Sequence, residues 1–427
     1  MTASHRPEPA ALSDSDTAIF ERRESNVRLY CRSFPTVFTK AKGAHLFDAS
    51  GRDYLDFFSG AGALNYGHNN EHIKRKVIEY LESDGIVHAL DAFTDAKRAF
   101  LTRFEETILG PRQLDYRVQF CGPTGTNAVE AALKLARKVT GRTGIIAFSG
   151  GYHGMTMGSG SVTSSRGVRK AMGVPLAHTT FVPYPDGPQG AFDSLAYLER
   201  LLADSCSGVD VPAAVIVETA QMDGGVYVAS PEWLQGLRKL TSAHGILLIC
   251  DDIQVGCGRS GRFFSFERAG IVPDLVTLSK SIGGYGFPMA LLLMRAELDQ
   301  WRPGEHTGTF RGNQVSFVAA TAALDFWATE DFRQGLEQRS AFFSGLAHQV
   351  APQDEVRGLG MVYGIDVAKR GGAERAQRVQ ALCFVRGLVI ETCGREDTVI
   401  KLLPPITTGN AELKAGCDIL AGALRDA

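Results

Sequence analysis

Short apolar runs that alternate with helical patterns dominate the middle of this 427-residue chain. The predicted strands cover residues 116–120, 144–148, 213–217, 245–250 and 274–278. The predicted helices between them include residues 94–108, 128–138, 194–202 and 231–244. Continuous apolar strands are typical of a sheet that is covered on both faces, and helical connections make neighbouring strands parallel. The pattern therefore predicts an α/β fold around a buried, mainly parallel sheet.

The chain is too long for one simple core, and changes of pattern along it predict several parts. Residues 1–15 are polar and lack the apolar segment of a secretory signal, so we expect a disordered tail there. Residues 16–87 contain a predicted hairpin with its turn at 48–51, and this segment should pack with a small C-terminal domain. We expect that α+β domain over residues 314–427, following a large domain over residues 88–313.

The composition excludes several classes of partner. A net charge of −2 provides no general attraction to nucleic acid or anionic lipid. No apolar run approaches the roughly 20 residues needed to span a bilayer. The eight cysteines form no C-x-x-C pair, and no zinc-site spacing is present. We therefore expect a cytoplasmic protein with free thiols, no metal, and no nucleic-acid or membrane partner.

Two charged residues end predicted strands, which is where active sites of parallel sheets lie. Asp251 ends one apolar run and Lys280 ends the next, with Gln254 close behind the aspartate. A lysine can hold pyridoxal phosphate as a Schiff base, while a carboxylate can keep the pyridine nitrogen protonated. Gln254 could hydrogen-bond the phenolic oxygen of that cofactor. Each residue alone also fits a simpler role, because aspartates cap turns or bind metals and most lysines are solvated.

Two glycine-rich loops also follow predicted strands. Residues 122–127 read GPTGTN and open a helix, so free N–H groups around Gly125 and Thr126 could bind a phosphate. Residues 150–154 read GGYHG, and the ring of Tyr152 could stack on a flat cofactor. A capped turn and a surface loop are the ordinary alternatives, so neither loop is decisive alone.

Residues 256–261 read GCGRSG and match the G-x-G-x-x-G pattern of dinucleotide-binding loops. Asp274 lies near the position expected for a ribose-binding acid. The context is wrong, however, because no helix pattern follows the loop and because Asp251, at the end of the preceding strand, would repel a pyrophosphate. A dinucleotide-dependent oxidoreductase therefore ranks well below a pyridoxal-phosphate enzyme.

Six segments occur in a fixed order along nearly the whole chain. They are GTNAVEAALKLARK, GGYHGMT, VIVETAQMDGG, ILLICDDIQVGCGRSG, PDLVTLSKSIGGYGFPM and HTGTFRGNQ. Together they resemble the class III (ω-amino) aminotransferases of fold type I. The resemblance implies pyridoxal 5'-phosphate as cofactor, a mainly parallel large domain and a smaller α+β domain.

Other segments, including FFSGAGALNYGHNN and WRPGEHTGTFRGN, resemble the diaminobutyrate–2-oxoglutarate transaminases within that family. This similarity implies amino transfer from L-glutamate to L-aspartate 4-semialdehyde. An aminotransferase for ornithine, 4-aminobutyrate or a specialised-metabolite precursor remains an alternative. A protein of the same fold that has lost catalysis is another.

The resemblance also implies roles for individual residues of the cofactor site. Lys280 is the Schiff-base lysine, Asp251 pairs with the pyridine nitrogen, and Gln254 lies near the phenolic oxygen. Gly125 and Thr126 bind the phosphate, and Tyr152 stacks on the ring. Thr309 reaches the phosphate of a neighbouring subunit, which implies at least a homodimer with its active sites at the interface.

For the substrate, the resemblance implies a pocket lined by Gly62, Asn65, Tyr66 and Glu218. In relatives the glutamate pairs with an arginine and moves aside for dicarboxylate substrates.

Three positions of this chain depart from that family pattern. The arginine position is Lys401, and the usual Q-G-E-G-G motif carries Met222 and Asp223 at its second and third positions. These departures indicate either an altered substrate or a neutral change in a loop.

Overall fold

The computed structural model describes residues 14–176, 178–187, 190 and 192–427. The strands are β1 Phe38–Lys42, β2 His45–Asp48, β3 Asp53–Asp56, β4 Tyr116–Phe120, β5 Ile145–Phe148, β6 Thr179–Val182, β7 Ala214–Val217, β8 Ala220–Gln221, β9 Tyr227–Val228, β10 Leu247–Asp251, β11 Leu275–Leu278, β12 Leu291–Arg295, β13 Glu355–Leu359, β14 Val362–Asp366, β15 Leu388–Val389, β16 Glu391–Cys393 and β17 Val399–Leu402. The helices and helical turns are α1 Asp14–Arg23, α2 Tyr30–Ser33, α3 Ser59–Gly62, α4 Glu71–Glu82, α5 Asp95–Phe104, α6 Gly125–Thr140, α7 Met157–Val162, α8 Arg166–Ala171, α9 Ser194–Ala203, α10 Pro231–Ala243, α11 Gln314–Trp327, α12 Glu330–Val350, α13 Gly372–Val385 and α14 Asn410–Asp426.

A seven-stranded sheet in the order β4-β12-β11-β10-β7-β5-β6 forms the centre of the fold. Strand β12 is antiparallel to both of its neighbours, while the other pairings are parallel. Strand β10 shows why its sequence is continuously apolar: Leu248 and Cys250 pack into one core cluster and Ile249 into another. The predicted α/β fold is therefore confirmed, although strands β6 and β12 were not predicted.

The N-terminal hairpin joins the C-terminal part of the chain through a shared sheet. Strands β2 and β3 pair antiparallel, and β15 adds to β3 in parallel. The carboxylate of Asp48 accepts the N–H groups of Ser50 and Arg52, at 2.9 and 3.0 Å, which closes the predicted turn. Strand β15 thus links the hairpin to the C-terminal part of the chain, while the packing of residues 16–87 with a separate small domain stays a prediction.

A second antiparallel sheet, in the order β13-β14-β17-β16, lies in the C-terminal part of the chain. The division into domains at residues 88 and 314 stays a prediction. Helix α1 begins at Asp14, inside the segment predicted as a tail, and residues 1–13 lie outside the described residues. Across the described ranges, none of the helices combines the length and the apolar character that crossing a membrane requires.

His45 connects the hairpin to helix α14. Its Nδ1 lies 2.8 Å from Asp53 Oδ1 and its Nε2 lies 3.1 Å from Glu412 Oε1. Burial lowers the pKa of His45, but the hydrogen bonds and charges of the two carboxylates outweigh it and raise the pKa overall. The protonated ring therefore favours the folded state.

We expect this contribution to be complete below the unfolded pKa of about 6.5 and to be lost as pH rises through the higher folded pKa. Its size should be below about 1 kcal/mol, since the three groups are partly exposed. Thermal unfolding at about pH 6 and about pH 8 should show a smaller pH effect in His45→Gln than in the wild type. The exposed His348→Gln is the control. An identical pH effect in His45→Gln and wild type would contradict this role.

Candidate active site

A cavity of about 350 Å³ lies at the carboxyl ends of the central strands. It brings together seven residues that the sequence predicted for the site, namely Gly125, Thr126, Tyr152, Glu218, Asp251, Gln254 and Lys280. They come from separate segments of the chain, and the parallel sheet places the ends of those segments side by side.

Asp251 is fixed at the end of β10 by three hydrogen bonds. Its Oδ1 accepts the Ile253 N–H at 3.1 Å and the Thr277 hydroxyl at 3.0 Å, while Oδ2 accepts His153 Nδ1 at 2.7 Å. Thr277 is the residue opposite Asp251 in the register of β10 and β11. The carboxylate is thus buried but held in one orientation at the cavity wall.

His153 is a site residue to which sequence reasoning gave no role. The ring is buried against Asp251. Burial lowers the pKa of His153, but the hydrogen bond and charge of Asp251 raise it further, so the net shift is upward. A protonated ring would stabilise the negative charge of the aspartate. The position of His153 in the GGYHG loop, directly after a strand, is the sequence signal from which a place in the site could have been inferred.

Asp252 faces away from this cavity. Its carboxylate accepts the Ser265 N–H at 2.9 Å and also bonds the Ser265 hydroxyl. Burial raises the pKa of Asp252 to about 7. The alternation of extended backbone thus points two consecutive aspartates in opposite directions, and Asp252 has a structural role.

Lys280 and Gln254 converge on one backbone carbonyl. Lys280 Nζ and Gln254 Nε2 donate to the oxygen of Ala61, at 2.9 and 2.7 Å. Residues 59–62, in the turn α3, all have positive φ between 49° and 82°, and this left-handed turn aims the carbonyl at the two side chains. Burial lowers the pKa of Lys280, and the charge of Lys401 lowers it further. A lowered pKa makes the amine a better nucleophile near neutral pH.

Helix α6 begins at the phosphate-binding loop predicted from sequence. Thr124 caps it, and the N–H groups of Gly125 and Thr126 have no partner within the helix. The Thr126 hydroxyl lies 2.9 Å from that of Thr156. A Cβ at Gly125 would lie 3.0 Å from Ile253 Cδ1, so glycine lets the helix start approach the cavity wall closely.

Glu218 does not pair with residue 401. Its two oxygens accept the backbone N–H groups of Tyr152 and Met222, at 2.9 and 3.1 Å, and burial raises its pKa to about 7. Lys401 instead lies 2.7 Å from Asp223 Oδ1 and 2.9 Å from a carboxylate oxygen of Glu391. The glutamate–arginine pair of the relatives therefore has no counterpart at Glu218, and the carboxylates beside Lys401 are those of Asp223 and Glu391.

Four predicted site residues do not line the cavity. Asn65 is fully buried, donates to the Cys257 carbonyl at 2.9 Å and accepts from Arg259 at 2.6 Å. The Tyr66 hydroxyl accepts from the indole of Trp327 at 2.9 Å. Substrate contact by Asn65 and Tyr66 stays a prediction that their positions do not support. The other two are Thr309, which is exposed, and Gly62.

Gly62 lies close to the side chain of Gln254. Its φ is 82°, and a Cβ there would lie 3.3 Å from Gln254 Cγ. Gly51 offers a matched control, because its φ is 83° and a Cβ there would meet no atom within 4 Å. Alanine at either position should cost roughly 1–2 kcal/mol of stability through backbone strain.

We expect Gly62→Ala to lower kcat as well, because Gln254 must shift, while Gly51→Ala leaves kcat unchanged per folded molecule. Thermal unfolding and steady-state rates of both variants test this. Equal activity in the two variants would show that the space beside Gln254 has no functional role.

The GCGRSG loop has a structural role. Arg259 points into the core, where it donates to Asn65 Oδ1 and, at 2.8 Å, to the Met361 carbonyl. Burial lowers its pKa to about 9. Only a short 3-10 turn, Ser265–Ala269, follows the loop in the described residues before β11, so the long helix whose start a dinucleotide site requires is absent there.

The family model described as aminotransferase class-III matches residues 30–424. The chain belongs to the class III aminotransferases, which are pyridoxal-phosphate enzymes of fold type I. Among its relatives is a diaminobutyrate–2-oxoglutarate transaminase of Halalkalibacterium halodurans, 51% identical over 419 residues, with 97% of each chain covered. A Nocardia farcinica protein of the same name is 53% identical over 418 residues, covering 96% of this chain and 94% of the relative.

Solved structures show the same fold. A Bacillus anthracis aminotransferase matches with a TM-score of 0.85 at 21% identity, covering 98% of this chain and all (100%) of the other. An ornithine aminotransferase from Toxoplasma gondii matches with a TM-score of 0.82 at 24% identity, covering 97% and 96%. The predicted enzyme class, cofactor and fold type are therefore confirmed, and the oxidoreductase alternative is wrong.

Proposed function

We propose that this enzyme transfers the amino group of L-glutamate to the aldehyde carbon of L-aspartate 4-semialdehyde. The products are 2-oxoglutarate and L-2,4-diaminobutyrate, and the aldehyde oxygen is exchanged for the amino group. The observation that carries the proposal is the identity above 50%, over nearly the full chain, to two transaminases named for diaminobutyrate.

The cavity fits pyridoxal 5'-phosphate. A buried carboxylate, an amine with a lowered pKa and a helix start with free N–H groups line one space. Those three features match the pyridine nitrogen, the aldehyde and the phosphate of the cofactor. We assign Asp251, Lys280 and the Gly125–Thr126 turn to these groups, with Tyr152 against the ring and Gln254 at the phenolic oxygen.

When bound, the cofactor links covalently to an amine and withdraws electrons from the carbon next to it. Asp251 supports that withdrawal, because its negative charge favours a protonated pyridine nitrogen. His153 and Thr277 keep the carboxylate in place. Lys280 Nζ would hold the cofactor, and as a free amine it would serve as the general base and then the general acid that moves the proton from the substrate carbon bearing the nitrogen.

We also propose a homodimer. Thr309 is exposed and lies away from the cavity of its own chain, so it is free to contact the phosphate in a second copy. Its neighbour Phe310 is 66% exposed and Phe93 is fully exposed (101%), as expected for an apolar surface that a partner covers. The eight free cysteines support a cytoplasmic location.

A donor and acceptor panel tests the substrate assignment. Glutamate should be the preferred donor and aspartate 4-semialdehyde the preferred acceptor, against the aldehydes that correspond to ornithine and 4-aminobutyrate. Chromatography with mass spectrometry identifies the products. A clear preference for the ornithine-derived aldehyde would overturn the substrate assignment and leave the class unchanged.

A further inference from the structure

Asp223, Lys401 and Glu391 form a triad of charged side chains that begins at the cavity wall and continues into the protein interior. Asp223 lines the cavity wall, with 36% of its side chain exposed. Lys401 lies behind it, fully buried, 2.7 Å from Asp223 and 2.9 Å from Glu391. Glu391 is buried in turn. Asp223 is therefore the one member of this triad that a ligand in the cavity could touch.

Lys401 is shared between two carboxylates, and burial raises the pKa of one of them, Glu391. Burial raises the pKa of Asp223, but the charges of Lys401 and Lys280 lower it more, so this carboxylate stays ionised. Its Oδ1 is bonded to Lys401. Its Oδ2 has no hydrogen-bond partner within the part of the chain that the structure describes. A charged acceptor oxygen therefore remains available at the wall.

This acceptor lies in the same cavity as the reactive amine of Lys280. A substrate whose terminal amine or aldehyde lies beside Lys280 would place its other end elsewhere in this cavity. For 2,4-diaminobutyrate and aspartate 4-semialdehyde, that other end carries both an ammonium and a carboxylate. The ammonium complements a carboxylate oxygen that already shares its lysine with a second acid.

We propose that Asp223 binds the α-ammonium group at the non-reacting end of the substrate, and thereby selects ω-amino acids that carry an α-amino group. This inference rests on the proposed function, since it assumes that a terminal amine or aldehyde reacts. Glu391 acts as a positioning residue. Because it also contacts the ammonium group of Lys401, it weakens the interaction of Lys401 with Asp223.

Two compounds isolate the interaction. 2,4-Diaminobutyrate and 4-aminobutyrate have the same four-carbon chain and the same carboxylate, and they differ only in the α-amino group. Asp223 should attract the first, while the second offers its carboxylate to the same region without a compensating ammonium. Wild-type enzyme should therefore prefer 2,4-diaminobutyrate as amino donor to 2-oxoglutarate.

The test compares kcat/KM for these two donors in Asp223→Asn. We expect a loss of about 10- to 100-fold for 2,4-diaminobutyrate, the usual effect of removing a hydrogen bond to a charged group. The value for 4-aminobutyrate should stay constant or rise. Asp223→Glu, which keeps the charge, should retain most of the preference. Glu391→Gln should reduce the preference for 2,4-diaminobutyrate by a smaller factor than Asp223→Asn does.

Bound-cofactor absorbance and thermal unfolding establish that each variant is folded and loaded, and the exposed Asp204→Asn is the matched control. Equal losses for both donors in Asp223→Asn would mean a purely structural role, and no loss for either would mean no contact; both overturn the inference. If wild-type enzyme does not use 2,4-diaminobutyrate, the proposed function fails separately. The inference is then tested by the same comparison between ornithine and 5-aminopentanoate, which also differ only in the α-amino group.

Discussion

Replacing Lys280 with alanine should lower kcat for transamination by at least about 10³-fold, with little change in fold. The side chain holds the cofactor and moves the proton, and no other lysine lines the described cavity wall. Its loss therefore removes two functions at once. Single-turnover rates with glutamate, followed by the cofactor absorbance, measure the effect without interference from product release.

A second readout locates the bond directly. Borohydride treatment of the wild type, followed by mass spectrometry of its peptides, should place the cofactor on the peptide that contains Lys280. The exposed Lys239→Ala should show the same label and full activity. Turnover by Lys280→Ala at a rate close to wild type, or a label on another lysine, would contradict the assignment.

Asp251→Asn should lower kcat by at least about 10²-fold, because the buried charge beside the cofactor is lost. Asparagine keeps the shape of the side chain and can still accept the bonds from Ile253 and Thr277. The variant should therefore fold and bind cofactor. Thermal unfolding and steady-state kinetics separate the loss of rate from any loss of structure.

The adjacent aspartate is a matched control for this prediction. Asp252→Asn disturbs the bonds to Ser265 on the opposite side of β10, so it should lower stability and leave kcat per folded molecule near wild type. Asp251→Asn should thus lower kcat more than stability, and Asp252→Asn should lower stability more than kcat. A normal rate in Asp251→Asn would refute the role of its charge.

The sequence predicts the part of the site that follows from strands and their ends. Continuous apolar runs identify β7, β10 and β11, and parallel pairing then brings Asp251 and Lys280 to one edge of the sheet. The GPTGTN loop becomes recognisable as a phosphate site once it is considered together with these two strand ends, because a glycine-rich turn before a helix can also be an ordinary capped turn. These features depend on local sequence pattern and on the rule that the carboxyl ends of parallel strands lie at the same edge of a sheet.

Other features depend on contacts between distant segments. The left-handed turn at residues 59–62 places its carbonyl against Lys280, more than 200 residues away (219) in the chain. Nothing in the sequence around Lys401 reveals that Asp223 and Glu391 share its charge. Asn65 was selected for a substrate pocket, yet its amide is used to hold Arg259 and the loop at Cys257. Pairings of this kind require the folded chain.

The most direct test of the proposed reaction follows the nitrogen atom. Enzyme loaded with pyridoxal 5'-phosphate is incubated with ¹⁵N-glutamate and aspartate 4-semialdehyde, and the products are examined by mass spectrometry and nitrogen NMR. We predict 2,4-diaminobutyrate labelled at the 4-amino group only, formed in equal amount with 2-oxoglutarate. Unlabelled product, a label at the 2-amino group, or 2-oxoglutarate without diaminobutyrate would contradict the account.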